Sequence, residues 1–399
     1  MRRTLSGRWS AVLSSAAWLL LVFSVACTPA APAPQAPAGG PAAAPAAQGA
    51  AQQPSATSRD WETLVAAAKR EGKVNCTCVP FPAVRDAVLA EWAKDYPEIQ
   101  MEYSFATLPD IEPQVTTERA AGQFVRDVYL FNPSPEQYAF ASRGFFEDVR
   151  PLMILPEVAS PDVWRGGLEE RFQDDAKRTV FAAGLGINTM GINVKRHREL
   201  GLPLPDSPPD ILKPEYKQQM VAWELRFGSG GSNYLGWWNF KFGADDKTGV
   251  QALLNQDIVN VPGMRDETER LVRGGSLIGI AYPNDTFFKP FVDAGVQFEV
   301  RRQGREPQNS SMTSYWAPSV FKNAQSPNAA VVLFNWLLTK RVHEVLLPVA
   351  GFNTARLDVS PTLPEEVPQP GLDYYQGQKE SSIRDYRDPA MELARQHYR

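Results

Sequence analysis

Cysteine and histidine are scarce in this chain: Cys27, Cys76 and Cys78 are its only cysteines, and His197, His343 and His397 its only histidines. That scarcity excludes a scaffold built on disulfides and any metal site that needs His and Cys ligands at short spacing. The three histidines lie far apart in charged, helix-like stretches, so no metal and no cofactor is expected. No Gly-x-Ser-x-Gly elbow, His-Glu-x-x-His pair, dinucleotide fingerprint or Gly-Lys-Ser/Thr phosphate loop occurs. Nothing recruits catalysis, so no catalytic residue is assigned and the chain is not expected to be an enzyme. A block of basic residues is missing too, which removes nucleic acid as a partner. Beyond the first residues no apolar run approaches the ~20 needed to span a bilayer. Thr28 to Ser58 holds neither a charged nor an aromatic residue.

What stands before that uncharged stretch explains it. Arg2, Arg3 and Arg8 precede an apolar run that ends Leu19-Leu20-Leu21-Val22-Phe23-Ser24-Val25-Ala26-Cys27. A charged start, an apolar middle and small residues at the end are the layout of a secretory signal. The last residues also resemble the bacterial lipobox, which implies that Cys27 is lipidated and begins the mature protein. Residues 1–26 are then a lipoprotein signal peptide and 27–58 a disordered Ala/Pro-rich tether. In polyproline II, at ~3.1 Å per residue, that tether reaches up to roughly 95 Å. The body beyond it is expected to be extracytoplasmic, in the periplasm or at the cell surface, anchored to the membrane.

In the body, strand and helix patterns alternate, which predicts an α/β fold with parallel sheet. Trp61, Leu64, Val65 and Ala68 fall at helical spacing, and Gly72 ends that helix. Strands are expected at Lys73–Val79, Ile99–Phe105, Asp127–Phe131, Gln219–Glu224 and Leu277–Tyr282. Ser134-Pro135-Glu136-Gln137 reads as a capping box with proline at the first helical position. Val180 to Val194 reads as a strand pair or crossover, and Ser326-Pro327 as the cap of an apolar helix to Leu338. Cys76 and Cys78, two apart on one strand face, read as poorly placed to bridge each other and are expected to be small core residues, with an exposed-face thiol pair as the alternative.

Ligands in open α/β sheets collect beyond the carboxyl ends of strands. That rule nominates Phe81, Thr107, Asn132 and Ser134 after the early strands, and Tyr282, Asn284 and Asp285 after a later one. Ser229, Gly230, Ser232 and Asn233 join them, because a glycine-rich helix start offers N–H donors to an anion. Each has a bland alternative: Ser134 as an N-cap, the glycine run as a surface loop, Tyr282 to Asp285 as a turn. Tyr315-Trp316 is expected to pack in the core.

Several stretches resemble one family. Trp61-Glu62-x-Leu64-Val65-Ala66-Ala67-Ala68-Lys69-Arg70-Glu71-Gly72-Lys73-Val74 is similar to the opening of extracellular solute-binding proteins of ABC importers, ferric-iron/putrescine-type branch. Pro327 to Leu338 is similar to its late helix, Asn353-Thr354-Ala355-Arg356-Leu357-Asp358-Val359 to its closing segment, and Gly191-Ile192-Asn193 to its crossover strand. Ile192 stands where the family commonly has an aromatic residue, and Thr339 to His343 departs from its usual Ser-x-x-Gly-Gln. The resemblance implies a periplasmic-binding-protein-like (type II) fold: 59–185 as the first part of lobe 1, 186–308 as lobe 2, and 309–399 returning to lobe 1 with C-terminal helices. It also implies capture of a small solute, with an anion or ferric species favoured and a polyamine left open by Asp285 and Tyr282. Delivery to an ABC permease follows, by a monomer that closes on its solute. Paired tyrosines serve as iron ligands in ferric-binding relatives, but Tyr374-Tyr375 lies beyond the closing segment and is expected to be structural. A secreted α/β hydrolase or a stand-alone surface sensor is the alternative.

Overall fold

The computed structural model describes residues 61–105, 108–188, 190–228, 230–280, 287–303 and 311–399. The signal peptide, Cys27 and the tether lie outside the described residues. In chain order the strands are β1 (Lys73–Cys78), β2 (Gln100–Ser104), β3 (Val128–Phe131), β4 (Gly184–Asn188), β5 (Met190–Asn193), β6 (Met220–Trp223) and β7 (Val259–Val261). Then come β8 (Ile278–Gly279), β9 (Val300–Gln303), β10 (Ser311–Tyr315), β11 (Ala317–Val320), β12 (Asn353–Thr354) and β13 (Tyr375–Gln376). They form three sheets, in the orders β11-β3-β1-β2, β7-β6-β8-β5-β9 and β12-β4-β10-β13. The first two are the sheets of two lobes and the third joins them, so the chain is an α/β protein with the expected two-lobed fold.

In the first lobe β1 runs parallel to β2 and β3 while β11 runs antiparallel to β3. The helix Pro327–Leu338 buries every residue from Ala329 to Leu338 under this sheet, as its mostly apolar sequence demands; the one polar residue of that stretch, Asn335, donates to the Leu152 and Val331 carbonyls at 2.7 and 2.9 Å. Its start is held differently from expectation. The Ser326 side chain makes no cap bond. Instead Glu71, from the helix Trp61–Glu71, accepts from the Asn328 and Ala329 N–H groups at 3.1 and 2.7 Å. The buried Asp127 accepts from the N–H groups of Ser326 at 3.1 Å and Asn75 at 2.8 Å. Carboxylates distant in sequence thus satisfy the helix N-terminus, where negative charge is stabilising.

The closing segment is a lock on the same lobe. Arg356 is buried, pairs with Asp358 through two 2.9 Å bonds, and donates to the Glu157 and Leu338 carbonyls at 3.0 and 2.9 Å. Asn353 brackets Leu363, accepting from its N–H at 2.7 Å and donating to its carbonyl at 2.8 Å.

The cysteines correct the sequence reading. Cys76 and Cys78 are both buried, as expected of core residues, but they are joined in a disulfide. Their Cα atoms stand 5.7 Å apart, within the ~4.4–6.8 Å window for a bridge. The strand is contracted there relative to a fully extended chain, which brings two same-face residues within reach.

The second lobe is built around the helix Gly230–Phe242, whose Tyr234, Trp237 and Trp238 are fully buried and pack ring against ring. The C-terminal segment lies along it: Asn239 donates to the Tyr386 carbonyl at 2.9 Å, and a Cβ on Gly236 would stand 2.9 Å from Arg387 Cβ. The predicted strand Leu277–Tyr282 is described only as far as residue 280, with β8 at Ile278–Gly279. Val180 to Val194 does hold two strands, β4 and β5, but they belong to different sheets.

Candidate functional site

The strand registers orient the two lobes. Going from the joining sheet to the first lobe, the chain passes from β10 through the single residue Trp316 into β11. β11 is antiparallel to β3, with Ala317 opposite Phe131 and Val320 opposite Val128, so the chain enters at the carboxyl end of β3. Going to the second lobe, β4 leads into β5, which is antiparallel to β8 with Gly191 opposite Gly279. That entry is at the carboxyl end of β8, and β6 and β7 run the same way as β8. The carboxyl ends of the parallel strands in both lobes therefore meet the same joining sheet. This is where an open α/β sheet binds ligands.

In the first lobe the nominated polar side chains serve the fold. Asn132 accepts at 3.3 Å from the N–H of Trp316, whose backbone is left-handed at φ 53°. That conformation is rare for a bulky residue and needs external support. Trp316 itself is a core residue, its indole donating to the Leu337 carbonyl at 3.0 Å. Tyr315 stacks on Phe352 with ring centroids 4.0 Å apart. Ser134 is the N-cap of the helix Pro135–Ser142, accepting from the Gln137 N–H at 3.4 Å, with Pro135 at the first helical position. Gln137 is buried and donates to the Ala317 carbonyl and Ser319 hydroxyl of β11 at 3.0 and 2.9 Å. Phe81, which precedes the helix Pro82–Asp95, is exposed. Thr107 lies outside the described residues.

In the second lobe β6 ends at Trp223, and Glu224 then binds Arg226 with 2.8 and 3.0 Å bonds. The Arg226 guanidinium lies 5.7 Å from the centre of the Phe227 ring. Gly230 opens the aromatic helix. A Cβ at Gly231 would lie 2.4 Å from the Trp223 carbonyl oxygen, so glycine there is what lets the helix seat on the end of β6. Ser232 is fully buried. Asn233 accepts at 3.4 Å from Arg387, a buried side chain whose Nε has no partner among the described residues. Burial lowers the Arg387 pKa, while Asp388, Glu136 and Tyr138 oppose that shift. Glu136 and Tyr138 belong to the first-lobe helix that Ser134 caps, so Arg387 stands within the electrostatic reach of both lobes. Ser229, Tyr282, Asn284 and Asp285 lie outside the described residues.

Two histidines depart from the expected setting. His197 and His343 are buried, and His343 Nδ1 is 2.7 Å from the Thr354 hydroxyl. Burial, then the Arg356 charge, lowers its pKa to about 3. Tyr374 and Tyr375 are buried as well; Tyr375 stacks on Phe240 at 4.8 Å and donates to the Ser382 carbonyl at 3.3 Å. Ile192 is a core residue of β5 paired with Ile278. Among the described residues no group of three or more His, Cys, Asp or Glu is placed to hold a metal ion.

Three residues of the strand-end regions were missed. Phe105 and Phe227 follow strand ends and are exposed, a signal visible only as an apolar residue where a polar one belongs. Arg387 carries no local signal, because its burial comes from the packing of the C-terminal segment.

No protein-family model matches the chain, and no curated protein matches it. Solved structures do. Iron-bound HitA from Pseudomonas aeruginosa is 15% identical with a TM-score of 0.63, over 82% of this chain and 99% of that one. AfuA from Actinobacillus pleuropneumoniae, with exogenous fructose-6-phosphate bound, is 14% identical with a TM-score of 0.60, over 82% and 98%. The periplasmic binding protein P5PA is 17% identical with a TM-score of 0.58, also over 82% and 98%. At such identities the likeness is one of fold: this chain has the two-lobed α/β fold of periplasmic solute-binding proteins.

Proposed function

We propose that the chain is an extracytoplasmic solute receptor that closes its two lobes on a small anion and delivers it to an ABC permease. The observation that carries this reading is the convergence of strand carboxyl ends from two sheets on one joining sheet. Single-residue links such as Trp316 are short enough to act as hinges. The lipobox-like run before Cys27 supports a lipid anchor, and the uncharged segment behind it supports a tether for a monomeric receptor. A ferric ion is the second reading, favoured by the iron carried by HitA.

A thermal-shift screen of the purified protein against anions, ferric chelates and polyamines tests this. A solute at 100 times its Kd stabilises by about 2.7 kcal/mol. Stabilisation by one chemical class is the expected result; a melting temperature unmoved by every class contradicts the receptor reading. Cys27→Ser is expected to release the protein from membranes, and fractionation with membranes like wild type contradicts the anchor.

A further inference from the structure

The C-terminal segment is one helical run with an irregular middle: an α-helical turn at Glu380–Ser382, a π-turn at Ile383–Arg387 and an α-helix at Asp388–His397. Its beginning is held by the first lobe and the joining sheet. The carbonyl of the buried Gln378 accepts from the Tyr138 hydroxyl, and its side chain accepts from the Thr313 hydroxyl at 2.9 Å. The Glu380 N–H donates to the Gln173 carbonyl at 2.9 Å, and the Glu380 carboxylate accepts from the Asp175 N–H at 2.9 Å. Arg384 donates to the Asp175 carboxylate at 2.6 Å. Ile383 is buried in a small cluster with Tyr138, Val180, Ala182 and Ala317.

From Tyr386 onward the second lobe holds the same run. The Tyr386 carbonyl accepts from Asn239 at 2.9 Å, and its ring meets Phe240 edge-on at 5.2 Å. Ala390 and Ala394 are fully buried in the second-lobe core, and the Tyr398 hydroxyl accepts from the Ile258 N–H at 3.0 Å. The grip therefore passes from one lobe to the other between Arg384 and Tyr386, inside the π-turn.

That position has a mechanical meaning. A π-turn closes its hydrogen bonds five residues apart instead of four, and such turns are rare and concentrated at functional sites. Helices bend where the regular ladder is interrupted. Both grips are buried, so neither lets go without exposing apolar surface to water. Bending the turn between them exposes none. The irregular turn is thus where relative motion of the lobes costs least.

Resting on the closure of two lobes proposed above, we propose that Glu380–His397 is a strap across the lobes and that its π-turn is a hinge through which closure passes. The helical run keeps its two grips at a fixed spacing and so limits how far the lobes separate. The π-turn lets them rotate.

Inter-lobe distances test this in the full chain. Fluorophores are placed on Glu102→Cys, in β2 of the first lobe, and on Arg265→Cys, in the second-lobe helix Met264–Val272; both positions are exposed. Cys27→Ser in the same chain leaves no other free thiol, since Cys76 and Cys78 are bridged. Distances are recorded without solute and with the anions, ferric chelates and polyamines of the thermal-shift screen. Deleting Asp385, which is exposed, removes the extra residue of the π-turn and leaves a continuous α-helix between the two grips. The deletion is expected to narrow the distance distribution and to abolish the shift that a solute induces. A deletion variant with the wild-type distribution and the wild-type shift overturns the strap hinge, and the receptor reading stands. Should the deletion variant not fold, Ile383→Ala combined with Arg384→Ala decides. Releasing the first-lobe grip is expected to broaden the distribution, and an unchanged one overturns the proposal. A wild-type distance that is single and the same with every solute means that the lobes do not move, and then both readings fail.

Discussion

The turn after β3 and the turn after β6 occupy equivalent places, one at the strand ends of each lobe, yet they use their residues differently. After β3 the polar side chains are spent on the fold: Asn132 holds the Trp316 backbone and Ser134 caps a helix. After β6 the close fit is made by the absence of a side chain, at Gly231, and by an arginine arriving from the C-terminal segment. What both lobes leave exposed near their strand ends is phenylalanine. A polar residue at a strand end can therefore be taken up by the fold in this protein, as Asn132 and Ser134 are.

The comparison breaks most visibly at Gly231. Any side chain there meets the Trp223 backbone, which has little room to move, so Gly231→Val is expected to destabilise the protein by about 3 kcal/mol. Urea unfolding measures it; a stability equal to wild type means the helix does not seat on β6 as described.

Next in size is an effect confined to the first lobe. His343 is held neutral by burial, with a folded pKa of about 3 against an unfolded value near 6.5. The folded value is the lower one, so this contribution is fully present above about pH 6.5 and is lost as pH falls toward 3. The loss is about 1.4 kcal/mol per pH unit, or about 2 kcal/mol at pH 5. His343→Gln is expected to flatten the stability profile between pH 6.5 and 4. An unchanged slope assigns the acid sensitivity elsewhere.

The smallest effects sharpen the comparison most. Ser134→Ala loses an N-cap, and Asn132→Ala loses the acceptor that steadies Trp316, each worth about 1 kcal/mol of stability. Neither is expected to change solute affinity. A tenfold loss of affinity in either variant returns these side chains to the binding site.

Much of the fold was legible because its signals are local. The apolar run from Pro327 to Leu338, the alternation after Ile99 and the Ser134-Pro135 start each dictate their element without help from distant residues. The strand-end rule is local for the same reason: it follows from strand direction. What escaped depends on contacts far apart in sequence. Glu71 and Asp127 replace Ser326 at the late helix, and Arg387 meets Asn233. The disulfide escaped for a different reason, since it turns on a small contraction within β1. No spacing rule reads that from composition.

Hydrogen exchange with and without a bound solute tests the central claim most directly. One solute is expected to protect the backbone around Phe81 and Asn132 in the first lobe and around Phe227 to Asn233 in the second, together and at the same concentration. Protection confined to one lobe, or appearing away from the strand ends, contradicts a receptor that closes both lobes on its solute.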